Sequence, residues 1–351
     1  MHKHKKEAPM GYVLSRDSFD QVLHNLSADY RIFAPVLKNG EGRFKDTDVV
    51  RYDFVNSLDE MELDIRSDYS FKDAVIPLSE TMFFFTEDQI RESSLDQRPV
   101  IVFMRSCDIH GVRRLDQMFL GNGENDDYYY ERRREKVKFA LIGCGTPCAN
   151  SFCVSMGSNK TDEYAFSIDV ADGQVFCDVK DESLRKAFSE SDGKEEKVVP
   201  QFVEKSEKEV SRPKEIPVSI YSDSMWDEYS ARCINCGRCT LVCPTCTCFT
   251  IQDLFYTDNG KVGERRRVCA SCMIDGYTDV AGGLKLRKTN GERMRFKVLH
   301  KVSDFRKRFG YDMCVGCGRC DTVCPEYISM SNCINKLDRR VKELEVEQNG
   351  R

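Results

Sequence analysis

The sequence predicts an α+β fold in three parts: a mixed α/β domain at residues 1–215, a helical domain at residues 222–335 and a charged helical tail at residues 336–351. Length is the first reason, because 351 residues exceed the roughly 100–200 that one domain usually needs. In the first two thirds, short apolar runs of strand length alternate with helical spacing. In the last third, one cysteine motif occurs twice.

The first domain begins with a helical pattern and continues with strands. Val13–Tyr30 carries apolar residues at helical spacing, and Tyr164–Val179 has the pattern of a hairpin that turns at residues 171–173. Four other runs have the length and composition of strands: Arg31–Leu37, Val49–Val55, Pro99–Arg105 and Val137–Ile142. The last two are each followed within two residues by a cysteine.

A change of composition separates the domains. Phe188–Pro217 is rich in charge and proline, and we interpret its later part as a linker. Beyond Asn335, the segment Lys336–Gln348 has the charged pattern of a solvated helix, which predicts the tail.

Composition argues against several classes of protein. Apolar residues make up 40% of the chain, charged residues 32%, and the net charge of −5 offers no basic face for nucleic acid. No apolar stretch approaches the roughly 18 residues that cross a bilayer, and the start MHKHKKEAPM has no apolar segment behind its basic residues. We therefore expect a cytoplasmic protein without a membrane span, and we expect its 18 cysteines to serve as thiolate ligands of metal rather than as disulfides.

The repeated motif is Cys233–Pro244 and Cys314–Pro325, each spaced Cx2Cx2Cx3CP. This is the spacing of two-cluster ferredoxins, in which one loop ligates three irons of a [4Fe–4S] cube and the fourth cysteine ligates the other cube. The rule gives two ligand sets. The first quartet is Cys233, Cys236, Cys239 and Cys324, and the second quartet is Cys314, Cys317, Cys320 and Cys243.

Zinc is the alternative for these motifs, because CxxC pairs also form tetrahedral zinc sites. The complete four-cysteine motif, written twice with its proline, favours iron–sulfur cubes. Between Cys243 and Cys314 lies an insert much longer than the connection in a small ferredoxin. The length of this insert favours the helical type of two-cluster domain found in larger reductases.

A third quartet lies in the first domain: Cys107, Cys144, Cys148 and Cys153. Its first two members follow predicted strands, and the carboxyl ends of neighbouring parallel strands meet at one edge of a sheet. If the two strands are neighbours, four thiolates can meet, so we expect a third [4Fe–4S] cluster here. The alternative is that some of these cysteines only pack in the core, as cysteines often do.

The remaining chemistry-bearing residues give weaker signals. The insert cysteines, Cys246, Cys248, Cys269 and Cys272, do not match a standard cube spacing, so packing around the clusters is the expectation and a further metal the alternative. We expect His110 beside Asp108 to be structural rather than an acid–base pair. No set of residues resembles a hydrolytic triad, a phosphate loop or a nucleotide fingerprint, and we assign no catalytic residue.

Several longer motifs carry a resemblance to a known family. They are, in chain order, CDIHGVRRLDQMF, DDYYYERRRE, GCGTPCANSFCVSMG, CGRCTLVCPTCTCF, AGG and CGRCDTVCP. With them the chain resembles the iron–sulfur electron-transfer subunit of anaerobic sulfite reductases, within a wider group that includes beta subunits of soluble hydrogenases and sulfhydrogenases. The resemblance covers about residues 71–324, and its most specific part joins residues 107–157 to CPTCTCF.

This resemblance implies a non-catalytic electron-transfer subunit of a cytoplasmic complex. A flavin subunit that oxidises NADH would supply electrons, and a sirohaem subunit would reduce sulfite. The resemblance carries over the twelve cysteines of the three quartets as cluster ligands. The alternative is the beta subunit of a soluble nickel–iron hydrogenase or sulfhydrogenase. Two further alternatives are a self-sufficient enzyme with an open-coordinate cluster and a zinc-binding interaction protein.

Overall fold

A central eight-stranded sheet and a smaller four-stranded sheet organise the computed structural model, which describes residues 10–44 and 46–349. The first nine residues, with most of the basic start, and residues 350–351 at the end of the predicted tail lie outside the described part. The elements of the first segment are β1 (Met10–Ser15), α1 (Arg16–Leu26), β2 (Arg31–Lys38), β3 (Val49–Phe54), β4 (Ser79–Phe85), β5 (Ile90–Glu92), β6 (Val100–Met104), α2 (Ser106–Phe119), α3 (Tyr128–Arg134), β7 (Val137–Ile142), β8 (Phe166–Ala171), β9 (Gln174–Val179), α4 (Glu182–Ser189) and β10 (Lys194–Glu196).

The second segment has more helix than strand but contains its own strands. Its elements are α5 (Asp227–Arg232), α6 (Arg238–Leu241), β11 (Phe249–Phe255), β12 (Gly263–Cys269), β13 (Asp279–Val280), β14 (Leu284–Lys285), α7 (Asn290–Leu299), α8 (Phe305–Phe309), α9 (Arg319–Val323) and α10 (Met330–Asn349). A π-helical turn at His300–Asp304 joins α7 to α8. The predicted tail belongs to α10, which begins before residue 336.

The large sheet has the strand order β10-β1-β9-β8-β7-β6-β2-β3. Strands β2, β6, β7 and β8 are parallel, and the outer strands are antiparallel. Alternate residues of β6 face opposite sides, so Ile101 and Phe103 pack with α1 and α4, while Val102 and Met104 pack with α2. The mixed α/β content expected for this segment is therefore present.

The second sheet joins the two segments. Its order is β11-β12-β4-β5, and β12 pairs antiparallel with β4 over Gly263–Val268 and Ser79–Phe85. Strands on both sides of the predicted domain boundary therefore share one hydrogen-bonded ladder. The segment interpreted as a linker is also packed, because Val203, Val210 and Ile216 are buried in the cores that surround the cysteines.

The predicted first helix begins later than expected. Met10–Ser15 is strand β1, which pairs with β9, and α1 starts at Arg16. The Ser15 side chain accepts a hydrogen bond from the Ser18 amide and caps the helix. Over so short a stretch, Val13 and Leu14 fit the apolar spacing of a helix as well as that of a strand. The pairing with β9 therefore decides their structure.

Candidate metal centres

The first quartet lines one cavity. Cys233, Cys236, Cys239 and Cys324 all contribute to its wall, together with Pro325 and three methionines. Cys233 caps the end of α5, Cys239 lies on α6 and Cys324 caps the end of α9, while Cys236 lies in the loop between α5 and α6. Gly237 begins α6 with φ +71°, a left-handed conformation that costs glycine least.

The second quartet lies next to the first. Cys243 interacts electrostatically with Cys314, Cys317 and Cys320, so the fourth cysteine of the first motif meets the three leading cysteines of the second. Burial raises the pKa of Cys314 to about 12, although the Gly316 amide donates a hydrogen bond to its sulfur at 3.4 Å and opposes the rise. The structure thus brings together both crossed sets that the ferredoxin rule predicts.

Two buried lysines face these thiols. Lys297 of α7 is 6% exposed and hydrogen-bonds Cys239, while Lys301 in the π-helical turn is 4% exposed and donates to Thr245 Oγ1 at 2.6 Å. Neither forms an ion pair with a carboxylate among the residues that the structure describes. Burial opposes the charge on Lys297, but Cys239 and Cys320 raise its pKa well above the ordinary value.

The charge of these two buried lysines shows whether the site is suited to hold the expected clusters. An unpaired ammonium group is costly to bury, so buried cations are normally matched by negative charge. Four thiolates on an iron–sulfur cube provide that charge, whereas neutral thiols do not. The donor set and its buried counter-cations therefore fit [4Fe–4S] clusters held by the two motif quartets.

The third quartet lies at the carboxyl edge of the large sheet. Strands β6 and β7 are parallel neighbours, with Met104 opposite Leu141, so Cys107 and Cys144 follow adjacent strand ends. Cys144 and Cys148 share a thiol hydrogen bond, which lowers the pKa of Cys148 to about 6. Cys153 interacts electrostatically with both Cys148 and Cys107, and the strand-neighbour condition for this site is met.

Arg105 is the buried cation of this third quartet. It is 7% exposed, and it donates to the backbone oxygens of residues 63 and 64. Burial opposes the charge on Arg105, but Cys148, Cys144 and Cys107 raise its pKa. The same match of a buried cation to cysteines thus occurs at all three quartets.

The second and third quartets adjoin each other. Cys107, Cys153 and Cys317 share one buried apolar group with Val203 and Val315. The Phe152 amide also donates to the Gly316 carbonyl at 2.7 Å, which holds the two cysteine loops together. One continuous set of thiols therefore runs from the sheet edge through the second quartet to the first.

Sequence patterns missed the buried cations. Lys297 and Lys301 are four residues apart and therefore share a helix face, but a basic stretch usually indicates solvent exposure. The Nε2 of His110 lies 2.9 Å from the Lys160 carbonyl oxygen, and the His110 carbonyl accepts a hydrogen bond from Arg114; its structural role stays a prediction. Asp108 is not its partner and instead pairs with Arg319.

Two negative findings concern only residues 10–44 and 46–349. Within them, no group of three or more His, Cys, Asp or Glu side chains is placed to hold a single metal ion. Ligands of a cube bind different irons and need not converge on one point. Within the same residues, no helix has the length and apolar character needed to cross a membrane.

Comparison with known proteins identifies the family. A 4Fe-4S dicluster domain matches residues 232–328, which span both cysteine motifs. The chain is 32% identical over 341 residues to the sulfhydrogenase 2 beta subunit of Pyrococcus furiosus, in an alignment that covers 91% of this chain and 96% of that protein. No solved structure matches the chain. The chain therefore belongs to the family of this sulfhydrogenase beta subunit, in which it is an iron–sulfur electron-transfer protein that carries [4Fe–4S] clusters.

Proposed function

We propose that this chain is the beta-type electron-transfer subunit of a cytoplasmic hydrogenase or sulfhydrogenase complex. The observation that carries the proposal is the alignment with the sulfhydrogenase 2 beta subunit over nearly the whole of both chains. That alignment extends far beyond the dicluster domain, so it includes the third quartet and the strands that support it. The chain itself catalyses no bond-making step.

In this proposal the three quartets hold three [4Fe–4S] clusters, with the ligands named above. When bound, the clusters supply one-electron transfer. The residues of the chain set the spacing of the thiolates, bury Cys317 of the second quartet and provide the buried cations Lys297, Lys301 and Arg105. These cations stabilise the more negative, reduced state of each site.

The first quartet is the expected point of exchange with a partner subunit. Cys236 is exposed, Ile234 two residues before it is 57% exposed, and Tyr327 three residues after Cys324 is 85% exposed. Exposed apolar residues beside a redox centre suit a protein interface, because they lose contact with water on docking. The third quartet has two buried members, Cys107 and Cys153, and is better shielded.

A sulfite reductase complex is the second candidate. The motifs at residues 107–157, joined to CPTCTCF, support it, since they carry the resemblance to the iron–sulfur subunit of anaerobic sulfite reductases. In that complex an NADH-oxidising flavin subunit would donate electrons and a sirohaem subunit would receive them. The alignment with a sulfhydrogenase subunit makes the hydrogenase-type complex our first choice.

An anaerobic pull-down from native cells tests the choice between complexes. The full chain, tagged at either end, is recovered with its partners, which are identified by mass spectrometry and by nickel and sirohaem content. Recovery of a nickel–iron hydrogenase subunit supports the proposal. Recovery of a sirohaem protein without nickel overturns it in favour of the second candidate.

The third cluster has a separate test. In the isolated chain, replacement of both Cys144 and Cys148 by alanine should remove about four irons and four sulfides, the content of one cube. Cys177 is the matched control, because it is buried in the apolar core of the sheet and belongs to no quartet. Unchanged iron in the double variant would remove the third cluster from the proposal.

A further inference from the structure

The insert cysteines come from two loops that the structure brings together. Cys246 and Cys248 follow the first ferredoxin motif, while Cys269 and Cys272 lie at and just after the end of β12. Phe249 and Cys269 are opposite each other in the ladder of β11 and β12, and the Ala270 amide donates to the Cys248 carbonyl at 2.9 Å. Four thiols separated in sequence thus occupy one end of a two-stranded ladder.

Their side chains interact with one another and with the motif quartets. Cys248 and Cys272 form a thiol–thiol hydrogen bond, and Cys269 interacts electrostatically with Cys248. Cys246 hydrogen-bonds Cys243, a member of the second quartet. Cys248 and Cys272 also pack in the core that contains Cys233 and Cys239 of the first quartet.

A cavity and buried cations accompany these thiols. Cys246, Cys248 and Cys269 line a cavity of about 160 Å³ between the ladder and the segment around Lys72. Lys72 is 7% exposed, and its Nζ donates to the Cys246 carbonyl at 3.2 Å. No carboxylate in the described part of the chain forms an ion pair with Lys72. Lys301 also faces Cys246 and Cys248.

Two of these features also mark the other quartets, namely thiols delivered by two segments and a buried cation that forms no carboxylate ion pair within the described residues. Hydrogen bonding between members is shared with the third quartet. A structural role in packing explains the burial of the cysteines, but it does not explain why Lys72, which attracts the Asp73 carboxylate without forming an ion pair, is buried beside them. We propose that Cys246, Cys248, Cys269 and Cys272 bind a further [4Fe–4S] cluster, the fourth of this chain. This inference adds a centre to the proposed electron-transfer function and does not depend on which complex the chain joins.

The position of this centre gives it a defined relation to the others. Cys246 contacts Cys243 of the second quartet, and Cys248 and Cys272 lie beside the first quartet. The fourth centre therefore adjoins both ferredoxin-type sites. It lies beside the series of thiols that runs from the third quartet through the second to the first, and it does not extend either end of that series. The spacing of these cysteines in the sequence does not predict this position, because the two halves of the site meet only through the pairing of β11 with β12.

Iron and acid-labile sulfide analysis of the full chain, purified or reconstituted without oxygen, tests the inference. Four cubes require about sixteen of each per chain, and three require about twelve. Replacement of Cys248 and Cys272 by alanine should lower the content by about four and remove one reduced-state EPR signal. The control Cys177→Ala should keep the full content.

The outcomes separate this inference from the proposed function. Loss of four irons in the Cys248/Cys272 variant, additive with the loss in the Cys144/Cys148 variant, supports four independent centres. About twelve irons in the unaltered chain that fall to about eight in the Cys144/Cys148 variant would overturn the fourth centre, even if the Cys248/Cys272 variant failed to fold. A Cys248–Cys272 disulfide found by non-reducing mass spectrometry, or one bound zinc at this site, would also overturn it. The pull-down result affects neither the iron content nor the number of centres inferred from it.

Discussion

Arg319 and Asp108 form a buried, bidentate ion pair between the second and third quartets. The two N–O distances are 2.6 and 2.8 Å, and both side chains are 1% exposed. Arg319 also donates to the carbonyl and the hydroxyl of Ser67. Asp108 follows Cys107 and Arg319 precedes Cys320, so the pair fixes one cysteine-bearing segment against the other.

Removal of one partner of this pair should destabilise the protein strongly. Asp108→Ala leaves the Arg319 guanidinium buried without its counter-charge, at an expected cost of about 3–5 kcal/mol. Urea unfolding of the cluster-loaded protein, performed without oxygen, measures the free energy of unfolding. Asp59→Ala is the control, since Asp59 and its partner Arg16 are both exposed and the stability should change little. Equal effects of the two variants would contradict the clamping role of Asp108.

Gly318→Ala should separate the second and third quartets. Gly318 has φ +77°, and an added Cβ would lie 2.4 Å from the Asn150 carbonyl oxygen, which is backbone and cannot swing away. Backbone strain and the clash together should cost about 2–5 kcal/mol.

Unfolding midpoints and iron content measure the effect of Gly318→Ala. Gly173→Ala is the matched control, because φ is +74° there but no atom lies within 4 Å of the added Cβ. Its cost should be strain alone, about 1 kcal/mol, with the iron retained. If the two alanine variants behaved alike, close packing of the loops would not explain the glycine at position 318.

Lys297→Met should lower the reduction potential of the motif clusters. The buried ammonium group lies against Cys239 of the first quartet and interacts with Cys320 of the second, so it favours the reduced, more negative state. A unit charge a few ångströms away contributes a few kcal/mol at an effective dielectric constant of about 20, which predicts a shift on the order of 100 mV. EPR-monitored redox titration measures it.

Two other lysine variants are controls for this shift. Lys297→Arg keeps the positive charge and should restore most of the potential, while Lys288→Met removes an exposed charge and should change little. A potential unchanged by Lys297→Met would mean that solvent, rather than this lysine, balances the charge of the clusters.

Asp169 should contribute a pH-dependent loss of stability. Burial raises its pKa from 3.8 to about 6, although the Gln201 amide donates to it and opposes the rise. Because the folded state holds the proton at higher pH than the unfolded state, stability should fall as pH rises from about 4 to 6 and then level. Unfolding of the chain between pH 5 and 7.5 should show a shallower decline for Asp169→Asn. Exposed Asp192→Asn serves as the control, and an unchanged slope in Asp169→Asn would contradict the assignment.

Local signals predicted much of the cysteine arrangement. The two ferredoxin motifs specify their partners through spacing alone, and both quartets occupy common sites in the structure. Cys107 and Cys144 were predictable as neighbours because apolar runs of strand length precede each of them. The assignment of cluster ligands stays a prediction for all three quartets.

Other features depend on contacts between distant parts of the chain and have no local signal. The pairing of β12 with β4 joins residues that no motif connects, and it crosses the boundary predicted from composition. The segment after Phe188 has the composition of a linker, yet Val203 and Val210 pack against the cysteine loops. Lys297 and Lys301 are buried only because thiols surround them, and a basic helix face otherwise indicates solvent.

The ladder between β4 and β12 has a consequence for biosynthesis. Thr81 and Glu264, whose side chains hydrogen-bond across it, are 183 residues apart. At roughly 5–20 residues per second, a ribosome needs about 10–40 s to translate that interval. During this time the edge of β4 that later pairs with β12 is unpaired in the nascent chain. Asp108 is without its partner Arg319 for longer still. Iron delivery to the cysteines near Asp108 is therefore expected to follow synthesis of the segment that contains Arg319.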